Sequence, residues 1–207
     1  MGYLQPSEYT AYGLAAETGD DWITTASALM DAYCMRTTLN PAQYVERLRL
    51  TAGARTVLLS YLPLAAVAPA TSPLVSVQAR FAAPRRGELP QTMGEEIAGA
   101  FSLPGSWTTV DVNTVDYFSE TGEIGLTQHI LGLPYNEVEV TYTAGLTTLP
   151  DAVKTACAQI VKNAQAMPAF NVQKTKIDTM QMQYFSDSLM DEQVRSLLLP
   201  YVSRRMG

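Results

Sequence analysis

The apolar residues change their spacing twice along the chain, and that switch limits the fold more than any single motif. After Asp20, the residues Ile23, Ala26, Met30, Tyr33 and Cys34 recur at helical intervals, with Leu29 widening the stripe. That is one face of a helix. Short runs rich in β-formers then take over, at residues 56–62, 75–81, 107–112, 117–118, 123–126 and 138–143. The helical period returns with Val153, Ala156, Cys157, Ile160, Val161 and Ala164. Strands bracketed by helices predict an α+β chain, a helical bundle with a small antiparallel sheet inserted between its N-terminal and C-terminal helices.

Local signals set the expected boundaries. Pro6-Ser7-Glu8-Tyr9 is a turn-and-cap pattern opening a short helix over 7–14, and Thr18-Gly19 breaks it. Asp20 is read as the cap of a helix over 20–35. A third short helix is expected over 41–49, from Tyr44, Val45 and Leu48. The segment Ser119-Glu120-Thr121-Gly122 reads as a hairpin loop. Residues 82–105 hold three prolines and four glycines around a helical candidate at 95–101, which suggests an insertion or long loop projecting from the sheet. Thr148 as cap and Pro150 in the first turn start a helix over 149–166. Residues 1–170 thus form the expected core. Residues 171–207 form a polar, flexible segment followed by a tail helix over 186–199.

Charge excludes several functions. The formal net charge is −6, and the acids are unevenly spread. No Lys or Arg precedes Arg36, and none stands between Gly87 and Val153, a stretch with ten acids from Glu88 to Asp151. Tight nucleic-acid binding needs clustered cations, so specific DNA binding is not expected. Three prolines, Pro63, Pro69 and Pro73, break the weakly polar run at 57–77, which therefore does not read as membrane-spanning. No basic segment leads into an apolar one at the N-terminus, so a secretion signal is not expected and synthesis in the cytoplasm is.

The chemistry-bearing residues are few. His129 is the single histidine, and no serine sits in a Gly-x-Ser-x-Gly elbow. A small hydrolase built on His129 is therefore a remote alternative. Cys34 and Cys157 both fall on apolar helical stripes, which suits core packing rather than a disulfide or zinc site. Neither phosphate-binding glycine motif is present, and no cofactor is expected. Pro84-Arg85-Arg86-Gly87 is a small basic knot in a loop. The tail helix carries Leu189, Met190, Val194, Leu197 and Leu198, then Tyr201, Arg204 and Arg205, a stripe with a basic end that could dock on a partner or on its own domain.

Taken in order, several of these segments resemble a family. They are Tyr3-Leu4 with Glu8-Tyr9, then Asp31-Ala32-Tyr33-Cys34-Met35-Arg36, then Val75-Ser76-Val77, then Thr121-Gly122-Glu123-Ile124. Last comes Val140-Thr141-Tyr142-Thr143-Ala144-Gly145, leading through Leu149-Pro150 into a helix. The order is similar to that of the head-tail connector (adaptor) proteins of tailed bacteriophages, over most of residues 3–165. The long 82–105 and 171–185 stretches depart from the compact family pattern.

The resemblance implies a non-enzymatic virion protein of the neck, at the head-tail interface. It implies a homo-oligomeric ring, usually a dodecamer, with portal protein above and a stopper or tail-completion protein below. DNA would pass through the ring without specific binding. On this expectation the tail-helix residues contact the portal, and Glu88, Glu95 and Glu96 line the DNA channel, where like charge keeps DNA from adhering. A tail-completion or receptor- or glycan-binding virion module is the alternative.

Overall fold

The structure is a computed structural model. It describes residues 2–50, 54–82, 89–90, 93–101, 105–126, 135–166, 174–177, 180–183 and 189–203. The chain divides into two compact units. One joins Met1–Thr37 to Thr148–Val202, and the other spans Thr38–Thr147 with the last residues of the chain. Both helices and antiparallel sheets are present, an α+β composition.

The first unit is built on α1 (Asp20–Tyr33) and α3 (Asp151–Ala166), which pack together. Ile23, Ala26, Met30 and Cys34 from the first meet a core that includes Val153, Ala156, Cys157, Ile160 and Val161 from the second. Each buried Ile, Val or Met side chain among these stabilises the fold by roughly 1.5–3 kcal/mol. A 3-10 turn at Pro6–Tyr12 lies on α3. Three tyrosines fasten the N-terminal segment. Tyr9 donates to Asp20 at 2.7 Å, Tyr12 donates to Asp151 at 2.7 Å, and Tyr3 donates to Asp31. Glu8 pairs with Lys154, and Lys162 donates to the Tyr12 carbonyl at 2.8 Å. Asp20 is therefore not the helix cap. Gly19 holds that position, and Asp20 opens the helix while accepting from Tyr9. Likewise α3 begins at Asp151 rather than beside Thr148, its first turn closing on the Pro150 carbonyl. Within the polar stretch before the tail, β8 (Lys174–Ile177) and β9 (Met180–Gln183) pair as a two-stranded sheet.

The second unit holds two antiparallel sheets around one core. One has the order β1-β7-β3-β4, with β1 Ala42–Arg49, β3 Leu74–Arg80, β4 Thr108–Val110 and β7 Glu137–Ala144. The other has the order β2-β6-β5, with β2 Thr56–Leu58, β5 Asp116–Tyr117 and β6 Glu123–Gly125. Val57, Leu59, Val115 and Ile124 share a buried cluster with Val77, Val138, Val140 and Tyr142. A short helix, α2 (Met93–Ala100), stands between β3 and β4.

The helix expected over 41–49 is a strand. Ala42 to Arg49 pair in unbroken register with Ala144 to Glu137. Alternate residues go to opposite faces. Tyr44, Glu46 and Leu48 turn inward, with Glu46 accepting from the Ser60 hydroxyl at 2.9 Å and from Tyr142, while Gln43, Val45 and Arg47 are exposed. The inward acid masks the alternation, leaving Tyr44 and Leu48 four apart as on a helix.

Gly145 ends β7 with φ +143, and a Cβ there would lie 2.4 Å from the Asn40 carbonyl oxygen. Only glycine lets the departing strand pass that close. Beside it, Leu146 donates to the Leu39 carbonyl at 2.8 Å, so the long segment of this unit begins and ends at one place.

Candidate functional site

The tail helix spends part of its apolar stripe at home. Residues Glu192–Leu198 form α4, which packs on α3, and Val194 and Leu198 are fully buried there. Asp191 caps it, accepting from the Val194 N–H at 2.7 Å. Asn163 of α3 holds that cap in place, donating to Asp191 and to the Leu189 carbonyl, each at 3.2 Å. Leu189, Met190, Leu197 and Tyr201 are half-buried, and Leu199 is 67% exposed. Arg204 and Arg205 lie outside the described residues. The expected helix over 186–199 is thus shorter, because Asp191 stops it at the N-terminal end.

The acids expected in the channel wall fall on or near α2. Glu96 is exposed, Glu95 is part of the same helix, and Glu88 lies outside the described residues. The sequence reading missed what stands beside Glu96. Met93, Ile97 and Phe101 are 67%, 51% and 71% exposed, and Leu89 just ahead of the helix is 83% exposed. The Phe101 N–H donates to the Ile97 carbonyl, so the last turn carries Phe101 onto the Met93–Ile97 face. The four-residue spacing was visible in the sequence, hidden only by the glycines and prolines around it. The base of this insertion is tied down. Asn136 exchanges two hydrogen bonds with the Ala82 backbone, at 2.6 and 2.8 Å, and Gly105 donates to the Phe81 carbonyl at 2.8 Å.

A second surface is the outward face of the four-stranded sheet. Glu137 on β7, 7% exposed, accepts from Arg47 Nε at 2.9 Å and from Arg80 Nε at 2.6 Å. Burial alone would raise its pKa, yet the two guanidiniums hold the carboxyl below its ordinary value. Trp107 stacks over both, its ring centre 4.4 Å from the Arg80 guanidinium carbon and 5.2 Å from that of Arg47. Cations therefore occupy the indole face that meets them.

The reactive groups give little chemistry. Burial pushes the thiols of Cys34 and Cys157 up to about 11, so both are inert core residues near neutrality. His129 lies outside the described residues. Among the described residues no three potential metal ligands cluster, and no helix is long and apolar enough to cross a membrane. Among the described residues, the features that stand out are surfaces.

No known protein family matches the chain, and no curated protein matches it. Among solved structures, a chain from "Virion of native gene transfer agent (GTA) particle" is similar over 99% of this chain and 91% of that one. Their TM-score is 0.48 and their sequence identity 12%.

Proposed function

We propose that the chain is a non-enzymatic structural subunit of a phage-type virion, a connector that assembles as a ring between portal and tail. The observation that carries this is the set of large apolar side chains the folded chain leaves in water. Met93, Ile97 and Phe101 on α2, Phe118 after β5 and Leu199 after α4 are all more than half exposed. The three on α2 share one face, and contiguous exposed apolar surface of that kind marks a site that meets another protein. The connector-like order of segments in the sequence supports the same reading, and it supplies the partners. These are a portal protein on one side, a stopper or tail-completion protein on the other, and further copies of the chain in a ring, twelve by family habit.

In this reading the acid surplus suits the passage of DNA. Exposed Asp111, Asp116 and Glu120 are better candidates for the wall than α2, since Glu96 sits beside Met93 and Ile97, a setting for protein contact. Portal contact through the tail would use the half-buried and exposed residues Leu189, Met190, Leu197, Leu199 and Tyr201. Val194 and Leu198 are already committed to the core.

The test is co-sedimentation with the assembled portal ring of the same particle. The expected result is saturation near one copy per portal subunit. No binding at high concentration would overturn the connector reading and move the weight to a tail-side or receptor-binding virion protein.

A further inference from the structure

We propose that α2 of one copy docks on the outer face of the β1-β7-β3-β4 sheet of a second copy. This rests on the reading of the chain as a ring subunit and names the two surfaces that would meet.

The α2 side is apolar and acidic. Met93, Ile97 and Phe101 share a face with Glu96 beside them, within a stretch that holds no Lys or Arg from Gly87 to Val153. The sheet side is its complement. Gln43, Val45, Arg47 and Arg49 alternate onto one face of β1, and cross-strand register puts Glu137 and Glu139 beside them and Arg80 beyond. Three guanidiniums, Arg47, Arg49 and Arg80, thus share that face with two carboxylates. It is a net-positive surface on a chain whose charge is −6. Val45 stands in its midst, 61% exposed, and the side chain of Arg47 is half exposed.

Charge also decides the symmetry. A contact of α2 with its own copy would bring acids together, and sheet against sheet would set two surfaces with an excess of arginines against each other. Each like-charge pairing is unfavourable, whereas α2 against sheet pairs opposite signs around an apolar centre. The contact is therefore head-to-tail, each copy offering α2 to one neighbour and its sheet to the other. A head-to-tail contact closes into a ring when its rotation divides a full turn.

The experiment is disulfide trapping with Ile97→Cys and Val45→Cys. It is performed where the wild-type chain sediments as an oligomer, or on portal rings if it assembles only there. Cys34 and Cys157 are fully buried and stay out of the reaction. A mixture of the two single variants should give cross-linked dimers on mild oxidation, at least tenfold more than either variant alone. The double variant should give a ladder. Ile97→Glu, at a position half in water, should weaken assembly at least tenfold with an unchanged circular-dichroism spectrum.

Strong cross-linking of Ile97→Cys with itself would overturn the proposal in favour of a two-fold contact. Assembled wild-type protein whose variants neither cross-link nor weaken would overturn the choice of surfaces and leave the ring reading standing. A wild-type chain that stays monomeric alone and on portal would overturn the ring reading itself.

Discussion

At the residue scale, Glu137 is the side chain on which most of the sheet's outer face depends. Its carboxylate is buried, and the two arginines that hold it are fixed under Trp107. Removing it leaves Arg80 nearly buried without its partner, so Glu137→Ala should destabilise the fold by about 1–3 kcal/mol, even with Arg47 half exposed. The pH dependence has a defined sign. A carboxyl held below its ordinary value adds stability that is complete above the unfolded-chain pKa and is lost as pH falls through the lowered folded value. Urea midpoints should therefore fall between neutral and acid pH in the wild type, and more shallowly in Glu137→Gln. Parallel profiles would show that the carboxylate adds nothing. The sequence marked Glu137 only as one of ten acids in a base-free stretch. Its partners Arg47 and Arg80 lie 90 and 57 residues away in the chain, and only strand register brings them together.

At the scale of elements, legibility depended on what occupied the inward positions. The apolar stripes of α1 and α3 are written in residues such as Ile23, Met30, Val153 and Ile160, with nothing polar to interrupt them except Ser27, whose hydroxyl donates back to the Ile23 carbonyl. The strand β1 was illegible because Glu46 is held inward by Tyr142 and Ser60, and no local rule foresees those partners. The tail helix shows the same limit in another form. Its stripe was plain, but sequence could not tell a helix that docks elsewhere from one that covers α3. Because Val194 and Leu198 are buried, Leu198→Ala should cost about 2–5 kcal/mol, as buried leucine truncations do. Removing residues 186–207 should cost at least as much, lowering the melting temperature before any binding is measured. If truncation left the melting temperature unchanged, α4 would be a free arm and its apolar side chains would be available to a partner.

At the scale of the whole molecule, the α+β composition was legible because the two hydrophobic periods occupy separate stretches of chain. The packing of the helices on either side of the sheet was expected as well, since two apolar stripes flanking an inserted sheet can cover each other. That Met1–Thr37 and Thr148–Val202 share one unit follows from α1 meeting α3, a contact that bridges the entire sheet region. It suggests a direct excision. Replacing residues 38–147 by a short Gly-Ser linker should leave a helical unit that unfolds cooperatively, since Leu39 and Leu146 are hydrogen-bonded neighbours and the gap is small. Loss of cooperative unfolding in that variant, followed by circular dichroism on heating, would mean that the helices need the sheet to fold.

The adjacency of Leu39 and Leu146 also has a mechanical meaning. Tension carried along the chain into residues 38–147 enters beside Leu39 and leaves beside Leu146, two neighbouring points. The force therefore reaches the sheet at the Ala42–Ala144 end of the β1-β7 ladder. It would then open the β1-β7 ladder one hydrogen bond after another, like a zip, rather than shearing all its bonds at once.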